Sequence, residues 1–283
     1  MSWLVFALAA GAASAVNVWA SKRLVASIRP PVLGGVVHVA GGLLCLVSLP
    51  LAGADLSPAG ERLPHLALMT AAYVLGNTLY FAALARSQLS EIDLLLRSSA
   101  LWTVVGGTLV LREAFPAASA VGAGLILASL LTIAEKPRRL RFSTGQLLAL
   151  GAALAFGAGN VIDKAISPPF DPLAYTALNL LLTGAGMLVL ARPRATELRA
   201  RVLWGWTAWT VAATFAVTQW LIILAFAAGG SAGNVILAAQ VRLVALTLIG
   251  IVLLGERDRL ARKVVATVLM LAGIAALTTL GGV

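Results

Sequence analysis

Two stretches of the chain place ionisable and amide side chains at the head of long apolar runs. In SEIDLLLRSSALW, residues 90–102, Glu91, Asp93 and Arg97 precede a run that continues to Leu111. Between Gly230 and Leu254, Asn234, Gln240 and Arg242 precede a second run that ends in LLGE. An ionisable group at the centre of a membrane helix costs about 2.5–3.5 kcal/mol on insertion scales, so it persists where it pairs, faces a wet cavity or works. Two chemistries fit these residue types. A carboxylate at Glu91 or Asp93 can exchange a proton for a solute, because desolvation favours its neutral form. Arg97 and Arg242 can hold a carboxylate or phosphate bidentately, which a guanidinium does better than an ammonium.

The spacing leaves alternatives open. Asp93 and Arg97 are four apart, so they can also neutralise each other on one helix face and only anchor the span. Asn234, Ala238 and Arg242 share a face by four-residue steps, with Gln240 offset from them. Arg242 has no acid within four positions, so its partner comes from another span, a lipid headgroup, water or an anionic substrate. Tyr73, Asn77, Tyr80 and Phe81 form a stripe at helical spacing, and Gln219-Trp220 holds the corresponding place later in the chain. Asn17, Trp19 and Asn160 sit toward the ends of their spans. The expected solute-site lining is therefore Arg97, Arg242, Asn234, Gln240, Tyr80, Asn77, Trp220, Trp19, Asn17 and Asn160, with Glu91 or Asp93 carrying a coupled proton. Asp163-Lys164 reads as an interfacial charged end, and Glu113 and Glu256 as helix-terminus or loop residues. His38 reads as a polar core histidine, and Trp3, Trp204, Trp206 and Trp209 as an aromatic belt.

The elements that position these residues follow from hydropathy. The 283 residues are 60% apolar and 11% charged, whereas soluble domains average about 25% charged. The chain reads as a polytopic, all-α membrane protein. Runs of spanning length fall at 3–21, 32–52, 65–85, 88–111, 116–135, 146–164, 172–191, 202–228, 231–254 and 260–281. The first lacks the positive leader of a signal peptide and is expected to remain as span 1. The connections are too short for a soluble domain. Of the 21 Lys and Arg, three (Arg62, Arg112 and Lys164) follow even-numbered spans, Arg97 and Arg242 lie inside spans, and the other sixteen follow odd-numbered spans. The positive-inside rule then puts the odd loops in the cytoplasm and both termini outside an inner, plasma membrane. This also accounts for the net charge of +10 without nucleic acid.

Shifting the chain by 143 positions superposes Asn17-Val18 on Asn160-Val161, Gly107 on Gly250, Leu111 on Leu254 and Glu113 on Glu256. Five spans in each half, residues 1–140 and 141–283, must cross in opposite directions, which is the inverted-repeat plan of many secondary transporters. Several signals are missing. One cysteine, Cys45, excludes an intramolecular disulfide; there is no phosphate-binding loop, no nucleophile elbow, and two histidines cannot build a three-His zinc site. No cofactor or metal is expected, and the chain is not read as an enzyme.

With its span ends LVLREAF (109–115) and IVLLGERD (251–258) and half starts ALAAGAASAVNVWASK (7–22) and ALGAALAFGAGNVIDK (149–164), the sequence resembles the drug/metabolite transporter superfamily, within it the EamA-type ten-span carriers. The resemblance implies helices around a central cavity and alternating-access transport of a small metabolite. Such families usually carry a proline in spans 4 and 9, where this chain reads SSALW and QVRLV. The preferred solute is an amino acid or other carboxylate-bearing molecule. The alternatives are proton-coupled export of organic cations, lipid flipping, or an integral-membrane enzyme. Partners are the solute and membrane lipids, with the protein a monomer or homodimer.

Overall fold

The structure, a computed structural model, describes residues 2–21, 24, 28–54, 56–84, 86, 92, 95–114, 116–133, 143–242, 244–245, 248 and 260–279. Its principal helices are α1 (Ser2–Ser21), α2 (Pro30–Ala52), α3 (Leu63–Leu84), α4 (Ser99–Val110), α5 (Ala117–Ile133), α6 (Thr144–Ile166), α7 (Pro172–Ala191), α8 (Trp206–Ala227), α9 (Ala232–Ala239) and α10 (Leu260–Thr279). Helical turns at Ser57–Ala59, Ala195–Leu198 and Arg201–Trp204 lie between them. Among the described residues there is no strand, and six helices, α1, α2, α3, α6, α7 and α8, are long and apolar enough to cross a membrane. The outer faces suit lipid: Leu51 is 91% exposed, Val47 75% and Leu109 74%.

Local sequence sets the helix starts. Pro30 and Pro172 open α2 and α7, where a missing N–H costs nothing. Asp171 caps α7 by accepting from Leu173 N and Ala174 N at 2.8 and 3.3 Å. Ser143 and Gln146 close a reciprocal capping box on α6. Trp206 is 86% exposed and starts α8 after an extended Gly205, so the expected span 202–228 is divided. Trp3, expected in an aromatic belt, is instead 3% exposed and part of the core.

Seven pairings, among others, join the helices of the two halves. α1 packs on α8 and α6 on α3; α2 packs on α7, and α5 on α10; α4 packs on α6 and α9 on α1; α4 and α9 also meet. Small residues let backbones touch at these crossings. A Cβ on Gly184 of α7 would lie 2.7 Å from the Val39 nitrogen and 2.9 Å from the Gly35 carbonyl oxygen of α2. Element bounds recur along the chain: α8 begins and ends 143 residues after α3, and α10 begins 143 residues after α5.

Two expected spans are not continuous helices. Residues 92, 95 and 96 are helical, Arg97-Ser98 is a turn, and α4 starts at Ser99; likewise α9 stops at Ala239, Gln240-Val241 is a turn, and Arg242 is helical again. At the first break Ser98 N donates to Leu95 O (3.1 Å), and Leu101 N and Trp102 N both donate to Ser98 O (2.9 and 3.2 Å). At the second, Val241 N donates to Ala238 O (3.1 Å), and Val244 N and Ala245 N to Val241 O (2.9 and 3.2 Å). Each bond of the first set recurs 143 residues later. Both breaks tighten locally to three-residue hydrogen bonding without any proline.

Candidate functional site

Among the described residues, the strongest concentration of polar chemistry inside the bundle surrounds Asp163, near the end of α6. Its side chain is fully buried, at 0% exposure, which corrects the sequence-based expectation of an interfacial charge. Oδ1 accepts from the Tyr175 hydroxyl at 2.7 Å and from Asn179 Nδ2 at 3.0 Å, both on α7. Oδ2 accepts from the Tyr73 hydroxyl of α3 at 2.6 Å and from Gln219 Nε2 of α8 at 3.3 Å. Four neutral donors from three other helices thus converge on one carboxylate.

The network continues through Asn160, one turn before Asp163 on the same face of α6. Its Oδ1 lies 3.3 Å from the Tyr73 hydroxyl, and its Nδ2 donates to Thr103 Oγ1 of α4 at 3.0 Å. Thr103 donates in turn to the Ser99 carbonyl at 2.9 Å, just beyond the turn at Arg97-Ser98. α4 and α6 approach this closely because Gly157 has no side chain: a Cβ there would meet Trp102 Cβ at 2.5 Å and Ser99 O at 3.1 Å.

A second polar contact joins distant segments. The Glu113 carboxylate, after α4, accepts the Ala232 N–H at the start of α9 through both oxygens, at 3.0 and 2.9 Å. Lys164 Nζ donates to the Phe226 carbonyl in the last turn of α8 at 2.9 Å. An anion therefore faces the positive end of α9 and a cation the negative end of α8.

The structure separates the sequence-predicted residues into groups. Asn160 joins the Asp163 network. Asn17 instead donates to Val211 O and Thr214 Oγ1 of α8, at 2.8 and 3.2 Å. Asn77 donates to Tyr73 O in its own helix at 2.8 Å. Tyr80 stacks on Phe81 with ring centroids 5.0 Å apart, Trp19 packs beside Ala20 and Leu24, and Trp220 is half-buried in α8. Arg97, Asn234 and Gln240 are buried and Arg242 half-buried. The turn between Ala239 and Arg242 breaks the helical path on which Arg242 was expected to share a face with Ala238 and Asn234. Glu91, Asp93 and Glu256 lie outside the described residues. His38, as expected of a core histidine, bonds its own helix through Nδ1 and the Gly34 carbonyl at 2.7 Å and stacks on Phe215.

Sequence reasoning missed Asp163 itself, Tyr175, Asn179 and Thr103. A signal was present: Tyr73-x-x-x-Asn77 and Tyr175-x-x-x-Asn179 each put a tyrosine and an amide one turn apart, and Asn160-x-x-Asp163 puts an amide and an acid on one face.

The EamA-like transporter family matches residues 1–134. No curated protein matches the sequence. A crystal structure of a protein with 17% identity superposes with a TM-score of 0.75, covering 98% of this chain and 96% of that chain, a likeness of fold. Over its first 134 residues the chain is thus similar to the EamA-like transporter family, a likeness consistent with a membrane transporter of the drug/metabolite type.

Proposed function

We propose that the protein is a secondary transporter of a small polar metabolite, an amino acid or other carboxylate-bearing solute. It works by alternating access between two inverted five-helix halves, residues 1–140 and 141–283, in the inner membrane with both termini outside. The two breaks carry this reading. Discontinuous helices at corresponding places of two halves are where transporters bind their cargo, since the freed backbone groups and helix ends face a midplane site. The helix pairings support the same plan: exchanging α1–α5 for α6–α10 turns each of the seven named pairings into itself or into another of the seven. The donor and acceptor chemistry near the second break favours a zwitterion. Asn234 and Gln240 are each 5% exposed, and Asn234 Oδ1 and Gln240 Oε1 have no donor among the described residues. A buried acceptor left so costs about 1–3 kcal/mol, which an ammonium-bearing solute relieves while an arginine takes its carboxylate.

The test is a thermal-shift screen of the purified protein in detergent against amino acids, organic acids, phosphorylated metabolites and organic cations, with Arg242→Ala in parallel. A ligand that binds the folded state raises the melting temperature by mass action. Stabilisation by amino or organic acids that disappears in the variant supports the reading. The buried carboxylate of Asp163 favours one rival, a proton-coupled exporter of organic cations. That rival requires stabilisation by cations alone, unaffected by Arg242→Ala.

A further inference from the structure

We propose that Asp163 is a proton-binding site whose ionised and protonated forms are both accommodated by one hydrogen-bond relay, Tyr73–Asn160–Thr103, ending on the Ser99 backbone beside the break before α4. The role as a coupling site rests on the transport reading above; the proton site itself rests on the geometry. Asp163 is the one carboxylate inside a spanning helix among the described residues, and all four of its partners are neutral.

The heavy-atom positions suit the ionised form, with four donors within reach of the carboxylate. The protonated arrangement needs no new neighbour. A proton from water adds to Oδ2, and the new O–H donates to the Tyr73 oxygen 2.6 Å away. Tyr73 keeps its own hydrogen, which rotates about the Cζ–Oη bond from Oδ2 to Asn160 Oδ1, already 3.3 Å distant. No heavy-atom bond forms or breaks, no electrons are exchanged, and the site passes from one negative charge to none. Asn160 is held ready to accept, because its Nδ2 is committed to Thr103 at 3.0 Å and Thr103 to Ser99 O at 2.9 Å.

The surroundings select a proton over a metal cation. The four groups present hydrogens, not lone pairs, to the carboxylate, and among the described residues no cluster of His, Cys, Asp or Glu could hold a metal. The titratable groups facing Asp163 are Tyr73 from α3 and Tyr175 from α7; α8 presents only the Gln219 amide. On α6 itself, the Lys164 ammonium is turned to the Phe226 carbonyl. The site is also single. The residues 143 positions before Asp163, Tyr175, Asn179 and Gln219 are Ala20, Val32, Val36 and Gly76, while Asn160 keeps its counterpart in Asn17. The shared amide is part of a common frame, and the acid is an addition to one half.

The experiment is infrared difference spectroscopy of the full chain in lipid nanodiscs, titrated over the pH range in which it stays folded. A protonated-carboxyl C=O stretch that appears as pH falls and is missing in Asp163→Asn is the expected result. Tyr175→Phe removes a donor to Oδ1 of the anion without removing the acceptor of the protonated form, and should move the midpoint to higher pH. Asn160→Leu removes the acceptor used by the protonated form and should move it to lower pH. A merely structural network predicts no such opposed pair. If Asp163→Asn does not fold, the opposed shifts carry the test. A spectrum without a titrating band assignable to Asp163, or midpoints that move together, overturns the proposal. A titrating Asp163 in a protein stabilised by no solute would leave the proton site standing and count against the transport reading; solute binding with a silent Asp163 would do the reverse.

Discussion

Replacing Glu113 by alanine should destabilise the bundle at a joint that no hydrophobic contact can replace. Its carboxylate takes one backbone N–H, that of Ala232, through both oxygens at 3.0 and 2.9 Å. One N–H shared by two oxygens counts as a single charge-assisted bond, for which losses of about 1.5–3 kcal/mol are typical, including the favourable placement of an anion at the start of α9. A loss of about 2 kcal/mol corresponds to a fall in melting temperature of about 4–8 °C for a chain of this order of size. Gly107 makes the same joint possible, because a Cβ there would lie 2.7 Å from Glu113 Oε2. The carboxylate can swing away from such a Cβ, but only by leaving Ala232. Gly107→Ala should therefore cost part of the same energy in the parent and almost none in the Glu113→Ala background, a coupling measurable by a double-mutant cycle in detergent. A Glu113→Ala melting temperature equal to the parent's, or two costs that simply add, would refute the reasoning.

Further outcomes follow from other contacts. Gly184→Ala should lower the melting temperature, since its Cβ would meet backbone atoms of α2 at 2.7 and 2.9 Å and overpacking costs about 1–3 kcal/mol. Gly11→Ala should disturb the second break, because its Cβ would lie 2.6 Å from Ala239 O and 3.1 Å from Arg242 N; a lowered melting temperature together with loss of the ligand-induced thermal shift is the expected signature. Arg29 and the Arg194 N–H hold the Glu197 carboxylate down from its ordinary 4.5 to about 2, with Arg29 Nη2 donating to Oε2 at 2.8 Å. A depressed acid contributes stability above its unfolded value and loses it as pH falls through its folded value. The difference in melting temperature between parent and Glu197→Gln should thus be constant near neutrality and shrink between about pH 4.5 and 2, and salt should reduce it because the pair is exposed.

The hydropathy of the chain marks its helices closely. The runs at 32–52, 65–85 and 172–191 became Pro30–Ala52, Leu63–Leu84 and Pro172–Ala191, because an apolar stretch of spanning length between Pro or charge has one stable solution in lipid. The breaks were illegible. Neither Arg97-Ser98 nor Gln240-Val241 contains Gly or Pro, and hydropathy averages over several turns, whereas a break is decided by one or two hydrogen bonds. Asp163 was misread for a related reason. An acid followed by a lysine at the end of a run normally marks the interface; here the two side chains part, the lysine to a carbonyl of α8 and the acid into a nest of donors from α3, α7 and α8. Which way an end residue points is settled by its neighbours in space, which spacing along one helix does not name.

The absence of proline at the two breaks changes what those spans can do. A proline removes its own N–H and fixes a kink permanently. Here the donors remain: Gln240 N and Val241 N are spent on Leu237 O and Ala238 O, at 3.1 Å each, one residue short of the ordinary helical acceptor. Moving each donor back to its four-residue partner would heal the helix with no bond lost, shortening the rise from about 2.0 to 1.5 Å per residue and turning everything beyond it about the axis. Unlike a proline kink, the break leaves the backbone donors of Gln240 and Val241 in place, so the span keeps every group from which a continuous helix is built.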